Sequence, residues 1–161
     1  MSSGGDDSQV MERVCSQIRS AFPDLICSGP ITPADGKTGE DYDEHEILFE
    51  GLRGRAWSRI PASFIRENAG ALVLLTEEAF VVYLPAWLIA GVTDHTVGEI
   101  LAYTFCPAPD GDQRFMDSRI KRMNVVQREA LAVFLAYCVE TNSSKVIKDR
   151  AEEALAYVSS L

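Results

Sequence analysis

The sequence lacks the features that mark membrane-spanning and secreted proteins. Its longest apolar run covers residues 79–92, which is 14 residues, and it contains Pro85. A transmembrane helix needs about 20 apolar residues, so this run predicts a buried helix and no membrane partner. The first ten residues, MSSGGDDSQV, have neither the basic nor the apolar region of a signal peptide. We therefore expect a cytoplasmic protein.

Cysteine, histidine and glycine motifs of known chemistry are also missing. The four cysteines (Cys15, Cys27, Cys106 and Cys138) form no C-x-x-C pair and no zinc-ligand spacing with a histidine. We expect reduced thiols, with Cys15 and Cys138 buried on apolar helix faces. No phosphate-binding glycine loop, H-E-x-x-H or G-x-S-x-G occurs. The sequence thus predicts no catalytic residues, cofactor or metal ion, and it favours a protein without enzymatic activity while leaving that question open.

Basic residues are scarce in the first third of the chain. The formal net charge is −9, and residues 1–50 hold eleven carboxylates against three basic side chains, which gives −8. Residues 51–161 hold thirteen against twelve, which gives −1. This balance argues against binding of duplex nucleic acid, which requires a positive surface. The acidic third fits either a solvated surface or a docking face for a basic partner.

Hydrophobic periodicity predicts helices and almost no strands. A chain of 161 residues has the size of one domain. Apolar residues recur at helical spacing in five segments, which are residues 8–22, 77–90, 95–103, 125–140 and 144–159. We predict a mainly α fold, a single compact domain of six or seven helices over residues 8–161. A disordered tail at residues 1–7 and a long acidic N-terminal loop complete the prediction.

Local signals predict where several elements begin. Side chains typical of helix N-caps occur at Thr76 and at either Thr93 or Asp94. Asn124 is a further N-cap, and Gln127 three residues later completes a capping box. Proline, aspartate and glycine over residues 105–117 predict a loop, which leads into a basic cluster at Arg114, Arg119, Lys121 and Arg122. Trp57 is predicted to anchor the core. We also expect the Tyr83 hydroxyl to bind a carbonyl that Pro85 frees within the same helix.

A pattern in residues 52–92 resembles a known family. The pattern is W-x-x-[IV]-P followed by L-T-x-E-A-F-x-x-Y-L-P-A, and it matches Trp57, Ile60, Pro61, Leu75, Thr76, Glu78, Ala79, Phe80, Tyr83, Leu84, Pro85 and Ala86. A later Q-R-x-A-L-x-x-F-L matches Gln127, Arg128, Ala130, Leu131, Phe134 and Leu135. These residues resemble DUF6714, a family of uncharacterised bacterial proteins. The resemblance implies a small, mostly helical cytoplasmic protein and no particular reaction, and such families often include immunity proteins that neutralise secreted toxins.

Two functional hypotheses remain open. The first is a protein-interaction module, such as an immunity protein, that binds a basic partner through Asp41, Asp43, Glu44 and Glu46. A separate alternative for the acidic segment 40–46 is that it binds Ca²⁺ or Mg²⁺, although it lacks the spacing of an EF-hand loop. The nearby arginines Arg53, Arg55 and Arg59 are expected to pair with the acidic segment.

The second hypothesis is a small enzyme or ligand-binding protein. Its site would lie near His95, Tyr83 and the loop at residues 23–40. Cys27 and Cys106 flank prolines in loops, and either thiol is reactive only if its surroundings lower its pKa. For Cys106, the sequence suggests Arg114 or Arg119 as the neighbouring positive charge.

Overall fold

Short polar side chains start several of the helices, as the sequence predicts. The Thr76 hydroxyl accepts a hydrogen bond from the backbone N–H of Ala79, and the Asp94 carboxylate accepts from the N–H groups of Thr96 and Val97. Asn124 and Gln127 form a reciprocal capping box. Each cap binds backbone donors that have no partner within the first turn, so these boundaries follow from local chemistry.

The computed structural model of the chain describes residues 3–33, 43–107 and 113–161. Eight α-helices lie in these ranges: α1 (Ser3–Ala21), α2 (Asp43–Leu52), α3 (Ala62–Glu67), α4 (Glu77–Thr93), α5 (His95–Phe105), α6 (Arg114–Arg122), α7 (Val125–Thr141) and α8 (Lys145–Ser159). Two 3-10 helices occupy Trp57–Arg59 and Ala69–Leu74. The same ranges contain no β-strand, only an isolated antiparallel bridge between Ile26 and Ala56. The predicted class, a mainly α single compact domain, is confirmed.

The core is built around α4 and α7. The largest fully buried side chains include Phe80, Tyr83 and Trp87 of α4, Phe105 of α5 and Phe134 of α7. Helix α7 packs against α1 and α8, while α4 packs against α1, α5 and α6. Burial of such large side chains supplies most of the driving force for folding, at roughly 25 cal/mol per Å² of apolar surface. None of the helices in the described residues combines the length and the apolar composition that a membrane span requires.

Helices α4 and α5 approach each other closely at two glycines. A Cβ atom added to Gly98 would lie 2.8 Å from the carbonyl oxygen of Gly91. Because that oxygen belongs to backbone, it has little freedom to move aside. Gly98 therefore sets how closely α5 approaches α4.

Two element boundaries differ from the sequence prediction, and the packing of one arginine was not predicted. Helix α1 begins at Ser3, whereas the predicted helix begins at residue 8. The basic cluster forms α6 from Arg114 onward, where the predicted loop extended to residue 117. Arg119 is only 7 % exposed, because its guanidinium stacks on Phe115 and donates to the carbonyl oxygen of Leu75 at 2.8 Å. A basic residue that packs in this way gives no signal in sequence periodicity.

Candidate interaction surface

Three of the four predicted partner-binding residues lie on the first turn of α2. Asp43, Glu44 and Glu46 are all exposed. The fourth, Asp41, lies outside the described residues, as do residues 34–40 of the predicted loop. We call Asp43, Glu44 and Glu46 the acidic face of α2. The carboxylates stand at the positive end of the helix dipole, where each stabilises the helix by about 0.3–1 kcal/mol.

The acidic face of α2 has no basic counterpart within the described chain. No lysine or arginine there lies within ion-pair distance of Asp43, Glu44 or Glu46. The expected pairing with the nearby arginines is therefore wrong for these three carboxylates. Arg53 instead pairs with Glu50 at 3.4 Å and lies over the ring of Phe49. The negative charge of the face is thus available to a partner.

The C-terminal half of α2 fixes this helix to the core. Leu48 and Leu52 are fully buried. The Tyr83 hydroxyl on α4 donates to the carbonyl oxygens of Leu52 and Arg55, which lie 3.0 Å and 2.9 Å away. Gly51 lies so close to the Phe64 ring that a Cβ atom would be 2.2 Å from it. The acidic turn is therefore carried by a helix whose other end is held in place.

An apolar side chain lies directly beside the acidic face of α2. Ile47 is 51 % exposed, one residue after Glu46. Interfaces between proteins combine an apolar centre with a polar rim. A lone exposed isoleucine is ordinary on its own, but next to three unpaired carboxylates it gives a partner an apolar contact within a negatively charged surface.

The second predicted site is not assembled. Tyr83 is fully buried, and its hydroxyl binds the carbonyls of Leu52 and Arg55 instead of one that Pro85 frees. His95 is exposed at the start of α5, beyond the far end of α4. Thr93, at the end of α4, follows Tyr83 by ten positions, which corresponds to about 15 Å along the helix. The two side chains therefore do not share a catalytic site.

His95 instead lines a cleft that the sequence does not predict. Asp7 of α1 and Glu140 of α7 line the same cleft. These residues are far apart in sequence, so the only sequence signal for the cleft is the spacing of its lining residues on each helix. Asp7 and Met11 share one face of α1 at i, i+4 spacing, and Tyr137 and Glu140 share one face of α7.

No disulfide joins the cysteines, all four of which lie in the described residues, and the environment of Cys106 does not activate its thiol. Burial raises the pKa of Cys106, and the Glu153 carboxylate, 3.1 Å from its Sγ, raises this pKa further. Its neighbours are thus Glu153 and Arg150, not the expected Arg114 or Arg119. Cys15, Cys27 and Cys138 are buried, as expected for Cys15 and Cys138, and burial raises the pKa of Cys138 to about 12.

Carboxylates and imidazoles do not converge on a metal centre in residues 3–33, 43–107 and 113–161. No three His, Cys, Asp or Glu side chains of these ranges are placed to hold one ion. Glu40 and Asp41, which belong to the acidic segment considered for cation binding, lie outside them.

Comparison with known proteins identifies a family but no function. No curated protein and no solved structure is significantly similar to this chain. The sequence model of a family of unknown function, DUF6714, matches residues 11–159, which is most of the chain. The resemblance to this family, which the sequence predicts over about residues 10–140, is therefore confirmed. The chain belongs to DUF6714.

Proposed function

We propose that the protein is a protein-interaction module that binds a basic partner protein through the acidic face of α2. The observation that carries this proposal is the exposure of three carboxylates with no basic partner in the described chain. Within the chain they contribute only their modest effect on the helix dipole. Their charge is therefore available to increase the rate of association with a positive surface.

The segment 41–46 as a whole, with Asp41 included, is the proposed contact region. A basic toxin neutralised by an immunity protein is the partner class that this surface fits best, because the nucleic-acid-binding cleft of a nuclease is positive. Charge complementarity of this kind leads to fast association and to an affinity that falls as salt is raised. No enzymatic function is proposed, since His95 and Tyr83 lie apart.

The test compares two variants of equal net charge. In the first, the acidic face is neutralised by Asp43→Asn, Glu44→Gln and Glu46→Gln. The control variant carries Glu67→Gln, Glu129→Gln and Glu152→Gln, three exposed carboxylates on α3, α7 and α8 that form no ion pair within the described residues. Wild-type and variant proteins are immobilised, and proteins retained from a lysate of the native host at low salt are quantified by mass spectrometry.

We expect the wild type and the control variant to retain one basic protein. The acidic-face variant should not retain it. Its retention should also fall as salt is raised. Equal retention by the two variants would show that the acidic face of α2 is not the contact. Absence of any protein retained by the wild type would remove the interaction hypothesis itself.

A further inference from the structure

Helix α7 carries an apolar face on the side that points away from the core. Its inward side is fully buried at Leu131, Phe134 and Leu135. On the opposite side, residues that recur at steps of three and four form the outward face of α7. This face consists of seven exposed or half-buried residues: Val125, Val126, Glu129, Ala132, Val133, Ala136 and Glu140. Five of the seven are apolar, whereas the outer side of a surface helix is normally polar.

The most exposed part of the outward face is its beginning. Val125 is 59 % exposed, and the adjacent Val126 is 54 % exposed. The half-buried Ala132, Val133 and Ala136 continue the apolar surface along the helix. Single exposed apolar residues are ordinary, but a contiguous apolar patch marks a surface that another molecule covers. The outward face of α7 therefore has the composition of an interface centre.

Two grooves extend this face to the neighbouring helices. Helix α7 packs against both α1 and α8. The groove beside α1 has a volume of about 240 Å³ and is lined by Val10 and Val133, among others. The groove beside α8 has a volume of about 270 Å³, and its lining includes Val125 and Val158. Both grooves thus add apolar surface to the outward face.

The area of this three-helix surface is close to what a stable dimer needs. Helix α7 has 17 residues, which span about 25 Å. Packed helices lie about 8–10 Å apart, so α1, α7 and α8 side by side present roughly 700 Å². Each partner in a protein interface of standard size contributes about 800 Å². The surface is therefore large enough for specific association.

The charges on this surface indicate what covers it. Arg13 and Arg128 line the two grooves, while Glu129 and Glu140 lie on the outward face. Two positive and two negative charges cancel here, although the chain as a whole has a formal net charge of −9. Arg13, Glu129 and Glu140 form no ion pair within the described chain. A second copy of the chain meets no net repulsion at this surface and brings an opposite charge for each of them.

We propose that two copies of the chain form a symmetric dimer through the outward face of α7. In a two-fold interface the same patch is used on both copies, so a surface with charges of both signs complements itself. Val125 and Val126 supply the apolar centre, and Arg13 of each copy approaches a carboxylate of the other. The outward face is separate from the acidic face of α2, and the dimer does not depend on the function proposed for that face.

Sedimentation equilibrium of the full chain over a range of concentrations tests the dimer. We expect the mass to rise from that of one chain to that of two, and no further. Val126→Glu places two like charges at the interface and should raise the dissociation constant at least about tenfold. The matched control is Val146→Glu, because Val146 is 56 % exposed and both valines are the second residue of their helix. This control should associate like the wild type.

A second pair of variants tests the contribution of charge. Arg13→Glu removes a positive charge from the interface and adds a negative one, so we expect weaker association. Arg66→Glu makes the same change in net charge at an exposed arginine of α3 that forms no ion pair within the described residues. It should leave the dissociation constant close to that of the wild type. Equal weakening by both variants would contradict a contact at Arg13.

Several results would overturn the proposal. A mass of one chain at every concentration would exclude the dimer. A dimer that Val126→Glu does not weaken would form through another surface. Equal weakening by Val126→Glu and Val146→Glu would show that added charge, and not contact at α7, is responsible. A mass that grows beyond two chains would contradict two-fold symmetry. Circular dichroism checks that each variant is folded, and Val126→Gln, which adds no charge, should weaken the dimer in the same direction.

Discussion

The hydroxyl of Tyr83 lies 3.0 Å from the carbonyl oxygen of Leu52, across 31 residues of sequence. This contact joins the central helix α4 to the C-terminal end of α2. A phenol has one proton, which it shares here between the carbonyls of Leu52 and Arg55. The acidic face of α2 is thus tied to the core through a buried hydrogen bond, and this relationship underlies the account of its function.

Replacement of Tyr83 by phenylalanine tests this attachment. Tyr83→Phe keeps the ring and leaves two carbonyl oxygens without their donor, which costs about 1–3 kcal/mol of unfolding free energy. Urea denaturation followed by circular dichroism measures the loss. A variant as stable as the wild type would mean that water satisfies these carbonyls and that the hydroxyl does not hold α2.

Alanine substitution should change the stability of the protein differently at Gly98 and at Gly70, because only Gly98 lies where α4 and α5 approach closely. Gly98→Ala would place a Cβ atom 2.8 Å from the Gly91 carbonyl oxygen and should destabilise the protein by about 1–3 kcal/mol. Gly70→Ala is the control, since a Cβ atom there has no neighbour within 4 Å. We expect Gly70→Ala to be neutral or to stabilise by up to about 1 kcal/mol. Thermal unfolding of both variants compares them, and equal melting temperatures would contradict the predicted crowding at Gly98.

The thiol of Cys106 should become more reactive when its carboxylate neighbour is removed. Glu153 raises the pKa of Cys106 and also pairs with Arg150, whose positive charge lowers it. Glu153→Gln therefore lowers the pKa of Cys106 on both counts and increases its thiolate fraction at pH 8. Alkylation by iodoacetamide, followed by peptide mass spectrometry, gives the rate. Glu152→Gln is the neighbouring control, and a rate equal in both variants would show that burial alone governs this thiol.

The hydrogen bond from Tyr157 to Asp117 predicts a stability contribution that depends on pH. Burial raises the pKa of Tyr157, and the Asp117 carboxylate raises it further. Because the folded state holds this proton more tightly than the unfolded chain, the contribution is complete below about pH 10 and is lost at higher pH. The difference in unfolding free energy between the wild type and Tyr157→Phe should therefore be smaller at pH 11 than at pH 8. A difference independent of pH would contradict this assignment.

Local chemistry explains which parts of the fold could be predicted. Thr76, Asp94 and Asn124 act as caps through atoms only two or three residues away, so the sequence alone predicts the helices that they begin. The same holds for the buried apolar faces of α4 and α7. Trp57 is also buried as predicted, with its indole N–H bound to the Pro23 carbonyl at 3.1 Å.

Contacts between distant segments account for what could not be predicted. Arg119 lies in a polar stretch, and its burial depends on Phe115 and on the carbonyl of Leu75, 44 residues away. Tyr83 binds carbonyls of α2 and the turn after it, which no helical spacing indicates. The cleft at His95 combines three helices in the same way. The charge of the acidic segment was visible in the sequence, but the lack of ion pairs to its first-turn carboxylates required the structure.

The association rate of the captured partner tests the central claim most directly. Rate constants are measured by surface plasmon resonance at several salt concentrations for the wild type, the Asp43→Asn, Glu44→Gln, Glu46→Gln variant and the Glu67→Gln, Glu129→Gln, Glu152→Gln control. We expect the acidic-face variant to associate at least about tenfold more slowly at low salt, with a weaker salt dependence, while the control stays close to the wild type. Equal slowing in both variants would show that net charge alone drives association, and unchanged rates in both would contradict binding through α2.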